Sequence, residues 1–401
     1  MFTRYNKVLV TSADTNAALA ITRSLGKNGI DVICSDSKNG KSFYSKYCKG
    51  RLISPSPESQ PKEFIDALSK NVMENDYDVL FPVTDTDMFL ISKYPNKFLP
   101  YVKVAMNDHQ TFMKALDKSA TIKLASKLNI PVPKTIFIED LQELNNVSEF
   151  LEYPVVIKSR QSSMCISKKI IRGMTVRVES KGEFIQKYKE LHKQSPFPLI
   201  QEYVHGDEIG IFALINKGEL KAIFSHLRIR SINPSGGASC FRKSINIDPI
   251  MQDYAIKLLK EMKWEGVAMV EFKIDSKEKI PKLMEVNGRF WGSLQLAISS
   301  GVDFPYLLFK TIVEENISPV LNYKNDVKCR DLYGDFLHLF SVMQQKDNRF
   351  EYPNKLQTLL DFMKFYEKNL IYDGLSFDDP RLALKTLVDI LNLPKLYFRK
   401  L

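Results

Sequence analysis

The residues best suited to chemistry lie in one segment, 266–293, where acidic and amide side chains interrupt two apolar, strand-like runs. The runs flank the polar turn SKEK, a pattern that is typical of a β-hairpin. Residues equally distant from the turn residue Glu278 face each other in a symmetric hairpin, so we expect Glu271 and Glu285 to be cross-strand neighbours. Alternation along the strand then places Asn287 on the same face as Glu285.

Two like charges directly opposite each other on a sheet repel, so the glutamate pair indicates a bound cation. Carboxylate and amide oxygens suit Mg²⁺, whose coordination is commonly completed by substrate phosphates, and Mn²⁺ would substitute for it. A solvent-exposed hairpin face is the alternative, but apolar residues flank both glutamates. We therefore predict that Glu271, Glu285 and Asn287 hold a metal ion. Arg289 follows them and would stabilise phosphate charge through its planar fork.

A second candidate segment, SHLRIRSINPSGGASCFRKS at 225–244, is rich in arginine and glycine. Arg228 and Arg230 are expected to share one face of a strand, where paired guanidinium groups would clamp a carboxylate or a phosphate. His226 and Arg242 lie nearby in the sequence, and we include Arg242 among the candidate catalytic residues. The PSGG stretch is expected to form a mobile lid that excludes water from a hydrolysable intermediate. The alternative is a disordered surface loop with solubilising arginines.

The elements that must position these residues begin with an α/β pattern. KVLV, a helical stretch and DVICSDS follow one another in the order of a βαβ unit, and further strands are expected at 79–83 and 101–106. We therefore predict an α/β domain with a parallel, Rossmann-like sheet over residues 1–108. Its first turn, TSAD, contains no glycine, so we assign it no phosphate-binding role.

The middle of the chain has an α+β pattern with antiparallel strands. The sequence predicts a helix over 109–128, the strand YPVVIK ending at Lys158, a hairpin over 210–224 that turns at Asn-Lys-Gly, and a helix over about 249–262. The tail from about 330 onward is aromatic-rich and has a helical pattern without any cluster of chemically active residues. We expect it to form a helical C-terminal extension.

Composition excludes several classes of protein. The net charge of +10 invites a nucleic-acid partner, but the lysines are scattered over amphipathic segments, so we expect neither a nucleic acid nor a membrane as partner. The five cysteines show no CxxC spacing, which argues against a zinc site or a disulfide framework. With no apolar leader or membrane span in the sequence, we expect a cytoplasmic protein.

The run EVNGR at 285–289, preceded by Glu271 at hairpin spacing, resembles the ATP-grasp superfamily, which includes biotin carboxylase, carbamoyl phosphate synthetase and D-alanine:D-alanine ligase. The resemblance covers roughly residues 1–310. It implies ATP and Mg²⁺ as cofactors, with Glu271, Glu285 and Asn287 on the metal between the ATP phosphates and Arg289 on the phosphoryl group or acyl phosphate. The implied domains are a pre-ATP-grasp α/β domain (1–108), an ATP-grasp fold (109–315) with a small lid subdomain (about 135–205) and a large catalytic subdomain (about 206–315), and a helical C-terminal extension (316–401).

The same resemblance implies further ATP ligands. Two lysines match those that reach the ATP phosphates, a hinge segment would grip adenine, and a glutamate beyond it would accept from the ribose hydroxyls. The loop after Lys158 departs from the family because it lacks glycine, so serine hydroxyls are expected to replace backbone donors. The implied set is Lys118, Lys158, Ser162, Ser163, Glu202, Tyr203, Val204 and Glu208.

We therefore expect an ATP-dependent carboxylate–amine ligase that forms an amide or peptide-like bond through an acyl phosphate. Its substrates would be a small-molecule carboxylate and a small-molecule amine, and a homodimer is one assembly that the sequence allows. One alternative is a bicarbonate-using carboxylase or an enzyme of the carbamoyl phosphate type. Another is a non-catalytic nucleotide-binding protein, against which the complete set of metal and phosphate residues argues.

Overall fold

The computed structural model describes residues 6–166, 169–234, 236–314, 316–345 and 352–398. Its first unit is a parallel sheet with the strand order β3-β2-β1-β4-β5. The strands are β1 (Lys7–Val10), β2 (Asp31–Asp36), β3 (Cys48–Ile53), β4 (Val79–Phe81) and β5 (Lys103–Val104), and the helices are α1 (Asn16–Lys27), α2 (Pro61–Glu74) and α3 (Asp85–Lys93). The predicted parallel α/β arrangement is confirmed.

The glycine-free turn after β1 is held by side-chain hydrogen bonds. The hydroxyls of Thr11 and Ser12 donate to the Asp87 carboxylate over 2.7 and 2.6 Å. Asp87 also completes the capping box of α3 together with Thr84. These bonds fix the start of α3 close to the carboxyl end of β1.

A pair of short helices leads into a small antiparallel sheet. The helical pattern over 109–128 is divided in two, since the Asp117 side chain accepts from the amides of Ser119 and Ala120 and so begins a new helix. The sheet has the order β10-β7-β11-β6, and β8 and β9 form a separate hairpin after Lys158, where the sequence predicted a loop. The elements are α4 (His109–Leu116), α5 (Lys118–Lys127), β6 (Thr135–Ile136), α6 (Glu143–Phe150), β7 (Val155–Lys158), β8 (Ser163–Ile166), β9 (Lys169–Arg172), β10 (Thr175–Val178), α7 (Lys181–Gln194) and β11 (Leu199–Glu202).

The large sheet has the order β16-β15-β12-β13-β14-β17-β18 and is antiparallel except for its last pair. The predicted hairpin turning at Asn216-Lys217-Gly218 is confirmed. The elements are β12 (Gly206–Asn216), β13 (Glu219–Asn233), β14 (Gly236–Ser244), α8 (Pro249–Glu261), β15 (Gly266–Asp275), β16 (Pro281–Asn287), α9 (Leu294–Ser299), α10 (Phe304–Val313), β17 (Lys328–Arg330) and β18 (Leu370–Tyr372). Helix α1 packs against α9 and α10, so the parallel sheet and the large sheet share one hydrophobic core.

The sequence predicted a helical C-terminal extension, but this region also contains two strands. It contains α11 (Leu332–Gln344), α12 (Lys355–Phe362) and α13 (Pro380–Phe398), but β17 and β18 extend the large sheet next to β14. Both strands are only three residues long, which is too short for a period-two pattern to reveal them. In the described part of the chain, no helix is long and apolar enough to cross a membrane.

Candidate active site

The hairpin of β15 and β16 places the predicted metal residues as the register requires. Glu271 lies opposite Glu285, and Asn287 lies opposite Met269. A bulge follows Glu271, so the symmetric register ends there and does not continue to the turn. Gly288, directly after Asn287, must be glycine because a Cβ atom would lie 2.3 Å from the Trp264 ring.

The carboxylate pair is bridged by donors in the way that a bound cation would bridge it. The side-chain amide nitrogen of Asn287 donates to one oxygen of Glu271 and one of Glu285, each over 3.1 Å. The Lys118 ammonium lies 3.1 Å from Glu285, and the Arg228 guanidinium lies 3.7 Å from Glu271. This oxygen-rich donor set fits Mg²⁺ once the Asn287 amide is turned to present its oxygen.

The two glutamates differ in their electrostatic surroundings. Burial, and then the charge of Glu285, raise the pKa of Glu271 above its ordinary value. The charge of Lys118 instead lowers the pKa of Glu285. In the ligand-free pair, the surroundings favour the charged form of Glu285 and disfavour the charged form of Glu271. A bound cation would stabilise the charged form of Glu271.

Arg289 is held by a residue from a helix of the parallel α/β unit. Its Nε donates to the Asp85 carboxylate over 2.9 Å, and one terminal nitrogen donates to the Asn287 side-chain oxygen over 3.1 Å. Asp85 is the first residue of α3, 204 positions away from Arg289 along the chain. The sequence contains no local signal for this contact, since it arises only when the two sheets pack together.

Two lysines bring positive charge to the same place. Lys158, at the end of β7, donates to the Gln201 side-chain oxygen over 2.8 Å. Burial is the largest cause that lowers the Lys158 pKa to about 8. The backbone amide of Lys118 donates to the Arg160 carbonyl over 2.8 Å, and its ammonium donates to the Ser162 hydroxyl over 2.6 Å. The loop after Lys158 thus positions the second lysine.

The predicted serine donors do not face the site directly. Among the described residues, the cavity wall includes neither Ser162 nor Ser163. Ser162 accepts from Lys118, and Ser163 is buried in β8. Ser162 thus positions Lys118, and Ser163 begins the hairpin that β8 and β9 form where a loop was predicted. The direct contact of both serines with phosphates stays a prediction.

The hinge residues line the other end of the cavity. Glu202, Tyr203 and Val204 all lie on its wall, next to apolar side chains of Val156 and Met284. The Glu202 carboxylate accepts from Lys282 over 2.8 Å, and the Arg177 guanidinium stacks on the Tyr203 ring at 4.1 Å. Apolar side chains at this end of the cavity are suited to a flat heteroaromatic ring.

Glu208 is paired with cations in this structure. It contacts Arg228, and the Lys273 ammonium lies 3.0 Å from its carboxylate. Lys273 was not among the predicted residues, although alternation along β15 from Glu271 points to it. Both lysine and arginine line the cavity, so a ligand that accepts hydrogen bonds would find donors here.

Arg230 and Arg242 were predicted as catalytic residues, but both are held in ion pairs. Neither is among the described residues that line the cavity. A bulge between Arg228 and Arg230 breaks the alternation, so the two side chains do not share a face. Arg230 makes a bidentate pair with Asp335 of α11 at 2.8 and 2.9 Å, and Arg242 is fully buried against Asp373. Of the three arginines predicted in segment 225–244, only Arg228 is among the described residues that line the cavity.

His226 is a cavity residue whose role the sequence did not specify. Its ring stacks on Phe212 with centroids 4.7 Å apart, and its Nε2 lies 3.0 Å from the Ser293 hydroxyl oxygen. Burial is the main cause that lowers the His226 pKa to about 3, so the imidazole is neutral. The glycines of the predicted lid, Gly236 and Gly237, are the first two residues of strand β14, and both line the cavity. Ser235 lies outside the described residues.

These groups surround one cavity of about 770 Å³. It is bounded by the small sheet, the large sheet and the start of α1, with carboxylates, lysines and Arg289 at the centre and apolar side chains at the hinge. A site of this size, between two antiparallel sheets, fits a nucleotide together with a second small molecule. Together, this fold and this site match those expected for the ATP-grasp class of proteins.

Comparison with known families identifies the same class. One family model, described as an ATP-grasp domain, matches residues 109–205, and a second, described as ATP-grasp in the biosynthetic pathway with Ter operon, matches residues 194–332. The chain belongs to the ATP-grasp superfamily.

Curated relatives are matched over parts of their length. The chain is 29% identical over 155 residues to the alpha-aminoadipate–LysW ligase of Sulfurisphaera tokodaii, covering 38% of this chain and 53% of the relative. It is 25% identical over 222 residues to the carbamoyl phosphate synthase large chain of Pyrococcus furiosus, covering 53% of this chain and 20% of the relative. The chain thus spans about half or less of these proteins.

Solved structures share the fold over most of the chain. Biotin carboxylase from Campylobacter jejuni superposes with a TM-score of 0.65 at 16% identity, covering 81% of this chain and 74% of that one. The ADP complex of N5-carboxyaminoimidazole synthetase from Staphylococcus aureus gives 0.63 at 14% identity, with 86% of each chain covered. The L-amino acid ligase from Bacillus licheniformis gives 0.60 at 16% identity, with 79% of each chain covered.

Proposed function

We propose that this protein is an ATP-dependent carboxylate–amine ligase. The observation that carries the proposal is the convergence of Glu271, Glu285, Asn287 and Arg289 on one cavity with two partly buried lysines. Paired carboxylates beside several cations suit the transfer of a phosphoryl group from a metal-bound nucleotide. The names of the matched curated relatives, which include ligases, support the same reaction class.

The proposed reaction has two steps. An oxygen of the substrate carboxylate attacks the γ-phosphorus of ATP, the bond to the β-phosphate oxygen breaks, and ADP leaves. The amine nitrogen then attacks the acyl carbon, the carbon–oxygen bond to phosphate breaks, and phosphate and a proton are released. Overall, a carboxylate, an ammonium compound and ATP give an amide, ADP, phosphate and a proton.

The residues of this chain would divide the work by position. Magnesium held by Glu271, Glu285 and Asn287 would neutralise phosphate charge during the transfer. Lys158 and Lys118 would contact the ATP phosphates, since the Lys118 ammonium lies 3.1 Å from Glu285 and the Lys158 ammonium feels the charge of the same glutamate. Their contribution is mainly to position and neutralise, because phosphoryl transfer needs little covalent help from the protein.

We further propose that Arg289 and Arg228 contact the reacting anions. Arg289 is fixed by Asp85 and donates to Asn287, so its guanidinium group is already held next to the metal-binding residues. Arg228 contacts both Glu208 and Glu271 and would exchange these contacts for the substrate carboxylate. Glu208, once released, would accept from the ribose hydroxyls, and the hinge of Glu202, Tyr203 and Val204 would hold the base.

The proposal is tested by following ADP release against a panel of carboxylates, each offered with hydroxylamine as a small nucleophile. Acyl phosphate is trapped as a hydroxamate, which gives a coloured iron complex. A ligase gives ADP and hydroxamate in equal amounts with at least one carboxylate. Turnover with bicarbonate alone would indicate a carboxylase, and ATP binding without turnover on any carboxylate would indicate a non-catalytic nucleotide-binding protein.

A further inference from the structure

A second cavity borders the main one. It has a volume of about 260 Å³ and lies between the start of α1, the beginning of α11 and helix α13. Asn16 and Asp331 line both cavities, so their side chains form the boundary between them. A molecule in the second cavity would therefore reach the main cavity past these two residues.

The charges around this second cavity are unequally compensated. Asp389 pairs with Lys385 on α13, and Asp14 pairs with Lys38 at 3.4 Å. Within the residues that the structure describes, neither Asp331 nor Lys41 has an ion-pair partner. One carboxylate and one ammonium group thus lack a direct ion-pair partner, although the Lys41 charge acts on the Asp331 carboxyl and lowers its pKa.

Asn16 holds these two charged groups on either side of its own side chain. Its amide nitrogen donates to the Asp331 carboxylate over 3.1 Å, and its amide oxygen accepts from Lys41 over 2.7 Å. Burial raises the pKa of the Asp331 carboxyl, so a cation brought next to it would stabilise its charge. The negative group lies at the boundary with the main cavity, and the positive group lies in the second cavity only.

We propose that the second cavity binds the amine substrate, and that this substrate is a zwitterion carrying an ammonium and a carboxylate group, such as an α-amino acid. Asp331 receives the amino group, and Lys41 receives the carboxylate. The inference rests on the proposed ligase function. It assigns to α1, α11 and α13 a subsite that the metal and ATP residues do not include.

The order of the groups has a chemical consequence. With its amino group at Asp331, the substrate points the reacting nitrogen toward the main cavity, where the acyl phosphate would form. After losing a proton, that nitrogen forms the new bond to the acyl carbon as phosphate leaves with the electron pair of the broken carbon–oxygen bond. The side chain would extend toward Tyr44 and Thr386, which also line the second cavity and would limit its size.

The test compares two nucleophiles on the same activated carboxylate in the full chain. The carboxylate that gives the most hydroxamate is held constant, and amide formation is measured with each of the L-amino acids against hydroxylamine, which needs no subsite. For Asp331→Asn we expect the ratio of amide to hydroxamate to fall at least tenfold, with the loss residing in the KM for the amino acid. Asp76→Asn, an exposed aspartate remote from both cavities, serves as the matched control and should leave the ratio unchanged.

Lys41→Met provides an independent variant. It should raise the KM for the amino acid at least tenfold but leave the KM for the corresponding amine without a carboxylate within twofold. An unchanged ratio in Asp331→Asn, or a wild-type enzyme that accepts only amines lacking a carboxylate, would overturn the inference. If the wild type forms no hydroxamate with any carboxylate, the proposed ligase function fails, and the inference fails with it.

Discussion

Asn287 shows how a neutral side chain can hold two like charges together. Its amide nitrogen donates to both glutamates while its oxygen accepts from Arg289, so one residue links the carboxylates to the phosphate-binding arginine. The opposite pKa shifts of Glu271 and Glu285 show that the two carboxylates are not equivalent in the ligand-free protein. This inequality leads to a test that separates their contributions to stability and to turnover.

Glu271→Gln should raise the free energy of unfolding of the ligand-free protein at pH 7 by about 1 kcal/mol. The raised Glu271 pKa means that its charged form costs folding free energy above pH 4.5, and the neutral amide removes that cost. Glu285→Gln should lower the free energy of unfolding by a similar amount, since it removes the ion pair with Lys118. Urea denaturation measures both. Each variant should lose turnover with Mg²⁺, whereas Glu261→Gln, at an exposed position of α8, should change neither property.

Lys158→Ala should weaken ATP binding by about 1.5–3 kcal/mol, or one to two decades in affinity, because a charge-assisted contact is lost. Calorimetric titration with ATP and Mg²⁺ measures the dissociation constant directly. Lys127→Ala, at the exposed end of α5, is the matched control. An unchanged affinity in Lys158→Ala would show that its ammonium does not reach the phosphates.

At the scale of single residues, local sequence patterns predicted contacts within one segment but not contacts between distant segments. The register of Glu271 and Glu285 follows from strand alternation and the turn, which are properties of one short segment. The partnership of Arg289 with Asp85 depends on how two separate sheets pack, which no local pattern encodes. The same holds for Asn16, which accepts from Lys41 and donates to Asp331, a residue 315 positions further along the chain than Asn16.

Among the elements, strand β13 determines which of its arginines lines the cavity. The bulge between Arg228 and Arg230 turns the second side chain toward α11, while Arg228 remains in the cavity. Alternation alone predicts both on one face, and a bulge gives no sequence signal here because no glycine marks it. The pairing of Phe241 and Arg330 on the neighbouring strands extends this region of the sheet into the C-terminal segment.

The two arginines should therefore respond differently to the same conservative change. Arg228→Lys should lower kcat/KM for the carboxylate at least tenfold with little effect on ATP affinity, because the planar fork is lost. Arg230→Lys should leave kcat/KM within about twofold but reduce the free energy of unfolding by about 1–2 kcal/mol, since its bidentate pair with Asp335 is broken. Steady-state kinetics and urea denaturation on both variants check this. A loss of kcat/KM well beyond twofold in Arg230→Lys would indicate that Arg230 contacts the carboxylate substrate after all.

For the whole molecule, buried arginine–aspartate pairs attach the C-terminal segment to the parallel α/β unit and to the large sheet. Arg23 of α1 pairs with Asp379 at 2.9 Å, and Arg242 of β14 pairs with Asp373. The segment also contributes β17 and β18 to the large sheet. The division of the chain near residues 108, 205 and 315 stays a prediction, whereas these contacts show that the C-terminal segment is integrated with the rest.

Removing one partner of such a pair should be far more harmful than removing a surface ion pair. Asp373→Ala leaves the fully buried Arg242 charge without compensation and should reduce the free energy of unfolding by about 3–5 kcal/mol. Asp361→Ala removes a partner of the exposed Lys364 and should cost no more than about 1 kcal/mol. Equal losses in the two variants would contradict a structural role for the Arg242–Asp373 pair.

The pairing of Arg23 with Asp379 also bears on the order in which the protein can mature on the ribosome. Helix α1 is among the first elements synthesised, but its buried guanidinium obtains its carboxylate partner, and the carbonyls of Asp373 and Gly374, only after more than 340 further residues have been added. Until then the nascent chain carries an uncompensated charge at a position that is buried in the final protein. Completion of the first sheet's environment is therefore a late event in translation, and premature termination before residue 373 would leave Arg23 of the earliest helix without these three partners.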